Sequence, residues 1–203
     1  MSPASALQPL TLSGRFVSLE PLQADHARPL FEAVGADADD IFRWIPYPMR
    51  TLQEFEGWVE TAFAEQDRGE SVVFVTREIV TGALVGSSRF MNISLPNRRV
   101  EIGSTWIIPS RQRTAVNTEA KYLMLCHAFE TLGCVRVELK TDGLNQKSRD
   151  AILRLGAKQE GIFRRHLVTW TGRIRDTVYF SILDDEWPAV KSRLETRLSA
   201  GNS

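Results

Sequence analysis

The hydrophobic positions of the chain repeat with two periods, and the switches between them mark its elements. "FVSLEPL" (Phe16 to Leu22) alternates apolar and polar residues, the period of a half-buried strand. Leu30, Phe31 and Val34 then recur at helical spacing and predict a helix to about Val34, capped by Asp25. "RWIPYPM" (Arg43 to Met49) is interrupted by prolines and predicts an aromatic loop. A second helix follows Thr51, with Phe55, Trp58, Val59 and Phe63 on one face, and ends near Gly69. The period of two returns in "SVVFVTRE", "GALVGSSRFMNI" and "RRVEIGSTWII", which read as an antiparallel meander. A long apolar helix closed by Gly133 comes next, then the strand "VRVELKT", with Val135, Val137 and Leu139 on one face. "NQKSRDAILRLGA" predicts a helix with Asn145 as N-cap and Gly156 just past its end. "GIFRRHLVT" and "IRDTVYFSIL" form a hairpin around Thr171-Gly172-Arg173, before a last helix from near Asp184. The order β-α-α-β-β-β-α-β-α-β-β-α predicts one mixed sheet with helices on its faces. The crossover through the long helix makes two neighbouring strands parallel.

Composition narrows the function classes. A chain of 203 residues, 43% hydrophobic, suits a single domain, expected at 11–198 behind a loosely ordered tail at 1–10 and ahead of a loose end after Leu198. Lys plus Arg and Asp plus Glu both number 25, which argues against nucleic-acid binding driven by counterion release. "MSPASALQPL" has neither a basic n-region nor an apolar h-region, and no uninterrupted apolar run approaches about 18 residues. A cytoplasmic protein with no membrane partner is expected. Cys126 and Cys134 fit no metal-ligand spacing and read as reduced thiols in apolar surroundings, so no metal is expected.

The stretch with the most chemistry is "IIPSRQRTAVNTEA", where a strand breaks at Pro109 and a helix begins after Arg111 and Arg113. A helix N-terminus presents unpaired N–H groups and the positive end of its dipole, a combination that receives anions. A solvated loop carrying two surface arginines would look the same. Neither a Gly-Lys-Ser/Thr nor a Gly-x-Gly-x-x-Gly pattern occurs, which leaves nucleotide-triphosphate and dinucleotide sites without support.

"VEIGSTWIIP", "RQRTAVNTEA" and "LNQKSRDAILRLGA", in that order, resemble the GCN5-related N-acetyltransferase (GNAT) superfamily, and within it the RimJ/RimL-like branch of ribosomal-protein N-terminal acetyltransferases. The similarity runs from about Leu12 to Leu194. It implies an α/β (α+β) GNAT fold: a mixed, mostly antiparallel sheet with a central splayed parallel strand pair flanked by helices. It also implies an acetyl-CoA-dependent transferase acting on a primary amine, which is a protein N-terminus, an amino acid or a small-molecule amine. Attack would be direct, without a covalent enzyme intermediate.

By the same resemblance, Gln112, Arg113, Thr114, Ala115, Val116, Asn117 and Thr118 would cradle the pyrophosphate of acetyl-CoA. Backbone groups of Trp106, Ile107 and Ile108 would face the pantetheine arm, and Asn145 and Ser148 would contact the coenzyme. Asn145 is equally natural as a plain N-cap. Two departures from the family pattern stand out. Arg113-Thr114-Ala115 occupies positions that usually hold glycine, and Arg113 is expected to exclude a strongly left-handed backbone at low cost, with its guanidinium compensating at the phosphate. Ile152 stands where many relatives have the tyrosine that protonates the leaving thiolate, so Ser148, a water, or no acid at all would serve.

Amine attack requires a proton acceptor. Glu101, in mid-strand, is the candidate; the alternative is a solvent-facing glutamate paired with Arg99 or Arg89. Trp44, Tyr47, Arg89 and Phe90 are the candidate acceptor pocket. His166 reads as structural or surface-lying, Tyr179 as sheet packing, and Asp176 as an ion-pair partner of Arg164 or Arg173. A noncatalytic acyl-CoA-binding module is the alternative function. The expected state is a monomer or homodimer.

Overall fold

The computed structural model describes residues 9–200. The loosely held ends expected from sequence fall largely on 1–8 and 201–203, outside those residues; within them Leu10 packs against the core and the last helix runs to Ser199. Eight strands form one sheet: β1 (Leu12–Ser13), β2 (Val17–Pro21), β3 (Ser71–Glu78), β4 (Leu84–Ser94), β5 (Arg99–Ile107), β6 (Arg136–Asp142), β7 (Lys158–Val168) and β8 (Ile174–Leu183). Their order is β1-β2-β3-β4-β5-β6-β8-β7. The helices are α1 (Ala27–Val34), α2 (Ala38–Ile41), α3 (Leu52–Asp67), α4 (Ala115–Cys126), α5 (Gln146–Leu155) and α6 (Trp187–Ser199).

Local chemistry explains most boundaries. Thr51 caps α3 by accepting from the Glu54 N–H at 3.2 Å, while Glu54 accepts from the Thr51 N–H, a reciprocal capping box. Asn145 caps α5, and Gly156 ends it at φ 107°, as the sequence predicts. The expected cap at Asp25 is not formed. Gln23 and His26 instead exchange backbone and side-chain bonds around a short 3-10 turn that leads into α1. The two-residue β1 and the one-turn α2 are additions that no periodicity of that length could reveal.

Two apolar layers flank the sheet. On one face Val116, Ala120, Met124 and Leu125 of α4 pack over Phe74, Phe90, Ile102 and Val137, with α5 and α6 joining the same cluster. On the other, α1 and α3 cover Val73, Val75, Leu84 and Trp106. Trp106 meets Phe42 and Phe55 edge-on, at centroid distances of 5.4 and 6.4 Å. That second layer stops short of the sheet's C-terminal half. There the same face carries a polar row: Glu101, Glu138 and Ser181 in register, then Lys140 beside Tyr179, then Asp142 beside Thr177.

The pair β5–β6 is parallel, and its register covers only Arg99–Glu101 against Arg136–Glu138. Beyond Glu101 the two strands part. The cause lies on the other edge of β5, which takes three steps from Gly103 to Trp106 where β4 takes two from Arg89 to Ser87. The extra residue is a bulge at Ser104, whose φ is 46°. Bulges bend and twist the strand that carries them, so β5 swings away from β6 and opens a wedge.

Candidate active site at the wedge

The wedge leads to the start of α4. Pro109–Arg111 form a single 3-10 turn, Gln112 is extended, and Thr114 caps α4 by accepting from the Val116 N–H at 3.3 Å. Arg113 sits between them at φ 62°. The sequence expectation was the opposite, that an arginine there would keep the backbone out of the left-handed region. Arg113 adopts the conformation a glycine would take, at a cost of about 1–2 kcal/mol. Strain of this size in a loop concentrates at functional sites.

The charge at the loop is less than its sequence suggests. Arg111 is neutralised by Glu78, Nε to Oε1 at 2.6 Å, whereas exposed Arg113 has no salt bridge among the described residues. Gln112 donates to the Ile107 carbonyl at 2.9 Å and accepts from Lys147, thereby joining the end of β5 to the first turn of α5. Asn117 has a buried side-chain oxygen with no protein partner. Ala115, Val116 and Thr118 line up behind it in the first turn of α4.

Of the three backbone positions expected at the arm, Ile107 faces the wedge. Ile108 has both groups committed, its N–H to Val85 and its carbonyl to Arg111, at 2.9 and 3.0 Å. Strand groups alternate in direction, so Trp106 turns its backbone to β4 as well, and its ring is core. Against the expectation for all three, the backbone groups of Trp106 and Ile108 are therefore turned away from the wedge. Asn145 is the plain cap of α5, accepting from the Ser148 N–H at 3.0 Å, and the half-buried Ser148 lies in that first turn. Ile152 is buried in the core.

Glu101 is only 1% exposed, against the alternative of a solvent-facing residue. Its Oε2 accepts from Asn92 Nδ2 at 2.7 Å and lies 3.0 Å from Lys140 Nζ; neither Arg99 nor Arg89 pairs with it. Its Oε1 is buried and has no partner. That oxygen rests over Gly103, where an added Cβ would lie 2.8 Å from it and 2.7 Å from Met91 Sδ. Gly103 thus permits a close approach between an unpaired carboxylate oxygen and the strand leading into the bulge.

A cavity of about 800 Å³ opens beside Glu101, lined by Asn92, Arg99, Glu138, Glu160, Phe163 and Tyr179 among others. Arg136 is clasped on its floor by Glu138 at 2.8 Å and Glu160 at 2.5 Å, and the Arg136 guanidinium holds the Glu160 carboxyl down at about 2.

None of the four residues expected to form the acceptor pocket lines this cavity. Phe90 is fully buried on the opposite face, against Phe74 and His127. Arg89 is bound by Glu65 of α3 at 2.6 Å, and Tyr47 packs into the α1–α3 layer. Trp44 lies at the far end of the polar face, its carbonyl accepting from Arg175 at 3.1 Å and its ring 5.5 Å from the Arg173 guanidinium. Arg173 pairs with Asp142. Asp176 instead accepts from the Arg165 N–H at 2.6 Å, so its expected ion pair is absent among the described residues. Cys134 is buried, which pushes its thiol up to about 11, and the Cys126 thiol is raised by burial too. Neither is poised as a nucleophile.

With its mixed sheet wedged open along one parallel pair and a helix starting at the mouth of the wedge, the chain superposes on solved acetyltransferase structures. An Acetyltransferase (GNAT) domain model matches residues 17–158, and the chain belongs to the GNAT family. A GCN5-related N-acetyltransferase from Brucella melitensis is 36% identical, with a TM-score of 0.89 over 97% of this chain and 88% of that one. RimJ of Mycobacterium smegmatis, solved with CoA-disulfide, is 25% identical at a TM-score of 0.80, covering 97% of each chain. The "Putative ribosomal N-acetyltransferase YdaF" of Bacillus subtilis (strain 168) is 34% identical over 110 residues, 54% of this chain and 59% of that protein. The chain therefore aligns with under two thirds of YdaF.

Proposed function

We propose that the protein transfers the acetyl group of acetyl-CoA to a primary amine by direct attack, with Glu101 as the general base. The observation that carries this is the buried, unpartnered Oε1 of Glu101, positioned over Gly103 between the wedge and the cavity. A carboxylate oxygen without a donor is ready to receive a proton from an attacking nitrogen. Oε2 is meanwhile held by Asn92 and Lys140, which fixes the direction of Oε1.

The residues at the wedge fit acetyl-CoA. The orphaned Asn117 oxygen, the strained Arg113 and the open first turn of α4 are features an anionic, hydrogen-bonding ligand would complete. Arg113, Thr114, Ala115, Val116, Asn117 and Thr118 would hold the pyrophosphate. Gln112 and Ser148 would flank the arm, and the Ile107 N–H, directed into the wedge, would polarise the acyl carbonyl. The coenzyme supplies an activated acyl group with a thiol as leaving group.

The acceptor enters through the cavity beside Glu101. The names of YdaF, a ribosomal N-acetyltransferase, and of a ribosomal-protein-serine acetyltransferase from Vibrio cholerae support a protein as that acceptor. An α-amino group, with a pKa of about 7.7–8.0, is also far easier to obtain neutral than a lysine at about 10.4.

Calorimetry with acetyl-CoA on wild type, Arg113→Ala and Arg113→Gly tests the loop. Wild type should bind. Both variants should bind about tenfold more weakly if the guanidinium meets the phosphates, while Arg113→Gly alone gains stability through relief of the left-handed strain. A wild-type protein that does not bind acetyl-CoA would overturn the reading.

A further inference from the structure

Lys121 has no place in the chemistry above, yet it is an unusual residue. It sits on α4 in the middle of the apolar layer, 5% exposed, and no carboxylate among the described residues lies within salt-bridge distance. Its ammonium nitrogen is bonded to Ser88 Oγ at 3.0 Å and to Thr105 Oγ1, and those two hydroxyls are 2.7 Å from each other. Burial holds its pKa down at about 7. The groups facing it are therefore hydroxyls of β4 and β5. On α4 itself the charged neighbour Glu119 is committed to the backbone of Arg15–Val17, and in the turn that follows α4 burial pushes His127 toward its neutral form.

The three-membered cluster opens in one direction. Lys121 and Ser88 are buried, whereas Thr105 is half-buried and immediately follows the bulge residue Ser104, on the stretch of β5 that has left β6. Its hydroxyl also donates to the Gly103 carbonyl at 3.4 Å, so the cluster touches the strand segment that borders the wedge. We propose that Lys121, acting through the Thr105 hydroxyl, supplies the proton that the departing coenzyme A sulfur takes up. The inference rests on the acetyl-CoA reading and fills the gap left by Ile152. As the C–N bond forms and the C–S bond breaks, its electron pair leaves with sulfur. Thr105 Oγ1 gives its proton to sulfur and takes one from Lys121 Nζ, while Glu101 takes the proton lost by the attacking nitrogen. Lys121, left neutral, is reprotonated from solvent as Glu101 releases its proton. Lys121 is thus a positioning and proton-supplying residue that acts through another group.

The sign follows from the chemistry: a donor must be protonated, so kcat should fall as pH rises through about 7, against the rise from amine deprotonation. Lys121→Met keeps the volume and removes the polar head, and Thr105→Val cuts the relay while retaining the lysine. Each should lower kcat about tenfold to a hundredfold and abolish the alkaline fall, with acetyl-CoA affinity unchanged. A second readout needs no turnover. In NMR titrations of labelled Lys121, its midpoint should move on adding coenzyme A and stay put with the desulfo analogue. An alkaline fall retained in both variants overturns the proposal, as does one removed by Tyr179→Phe or Ser148→Ala instead, or a titration that coenzyme A leaves unmoved. Absence of acetyl-CoA binding in wild type would instead bring down the cofactor reading and this proposal with it.

Discussion

Glu101→Gln should lower kcat by about a hundredfold to ten-thousandfold while leaving the affinity for acetyl-CoA unchanged. The amide has nearly the shape of the carboxylate, so its oxygen can still accept from Asn92 or Lys140, and Gly103 still leaves it room. What it lacks is an oxygen that can take a proton. Steady-state kinetics with an N-terminal peptide acceptor, alongside acetyl-CoA calorimetry, separate the two effects. Retention of a tenth or more of wild-type kcat would reduce Glu101 to a counter-ion for Lys140. Lys140→Met distinguishes these roles further. As counter-ion, Glu101 would then be a buried charge without a partner, and the protein should lose stability; as base, it should still function. A protein that binds acetyl-CoA and acetylates no amine in wild type would favour the noncatalytic module.

The architecture was largely readable because each element carries its own signal. The caps at Thr51 and Asn145, the stop at Gly156 and the switches of period define most of the boundaries seen. The parallel pair follows from a helix lying between two strands. The site was less legible, for reasons that differ by residue. Arg89 and Phe90 are adjacent in a strand and so face opposite ways; strict alternation already forbade both from lining one pocket. Lys121 also had a signal, since it shares an i, i+4, i+7 stripe with Leu125 of α4 and Ala128 in the π-helical turn that continues it, yet a lysine in a helix is usually read as solvated. No local signal existed for the bulge at Ser104, because register belongs to two strands at once. The pairing of Arg111 with Glu78, 33 residues away, was equally invisible, as was the left-handed turn at Arg113.

Glu119 should prove the most stability-determining charged residue of the chain. It lies in the motif "TAVNTEAK", only four residues into α4, and is 5% exposed. Its carboxylate accepts three consecutive backbone N–H groups, from Arg15 at 2.9 Å, Phe16 at 2.6 Å and Val17 at 2.8 Å. These precede or open β2, and Gly14 is what lets the chain pass, since a Cβ there would lie 2.4 Å from the Glu119 Cδ. Hydrogen bonds to a charged group contribute about 1.5–3 kcal/mol each. Solvent reaches part of this turn, so Glu119→Ala should cost about 3–5 kcal/mol, a large share of the 5–15 kcal/mol by which a domain is stable. For a chain of this length that lowers Tm by about 6–20 °C. Glu119→Gln keeps one oxygen but turns an N–H₂ toward donors, and should fall between. Gly14→Ala should reproduce part of the loss without altering any charge, because the clash displaces the carboxylate from its donors. Denaturant unfolding of the three variants measures this, with acetyl-CoA calorimetry on the folded protein as the companion. If affinity stays at the wild-type level while stability falls, Glu119 is a strut between the first strands and α4. Unchanged stability in Glu119→Ala would mean that water replaces all three bonds and that the apolar layer alone holds β2 to the helix.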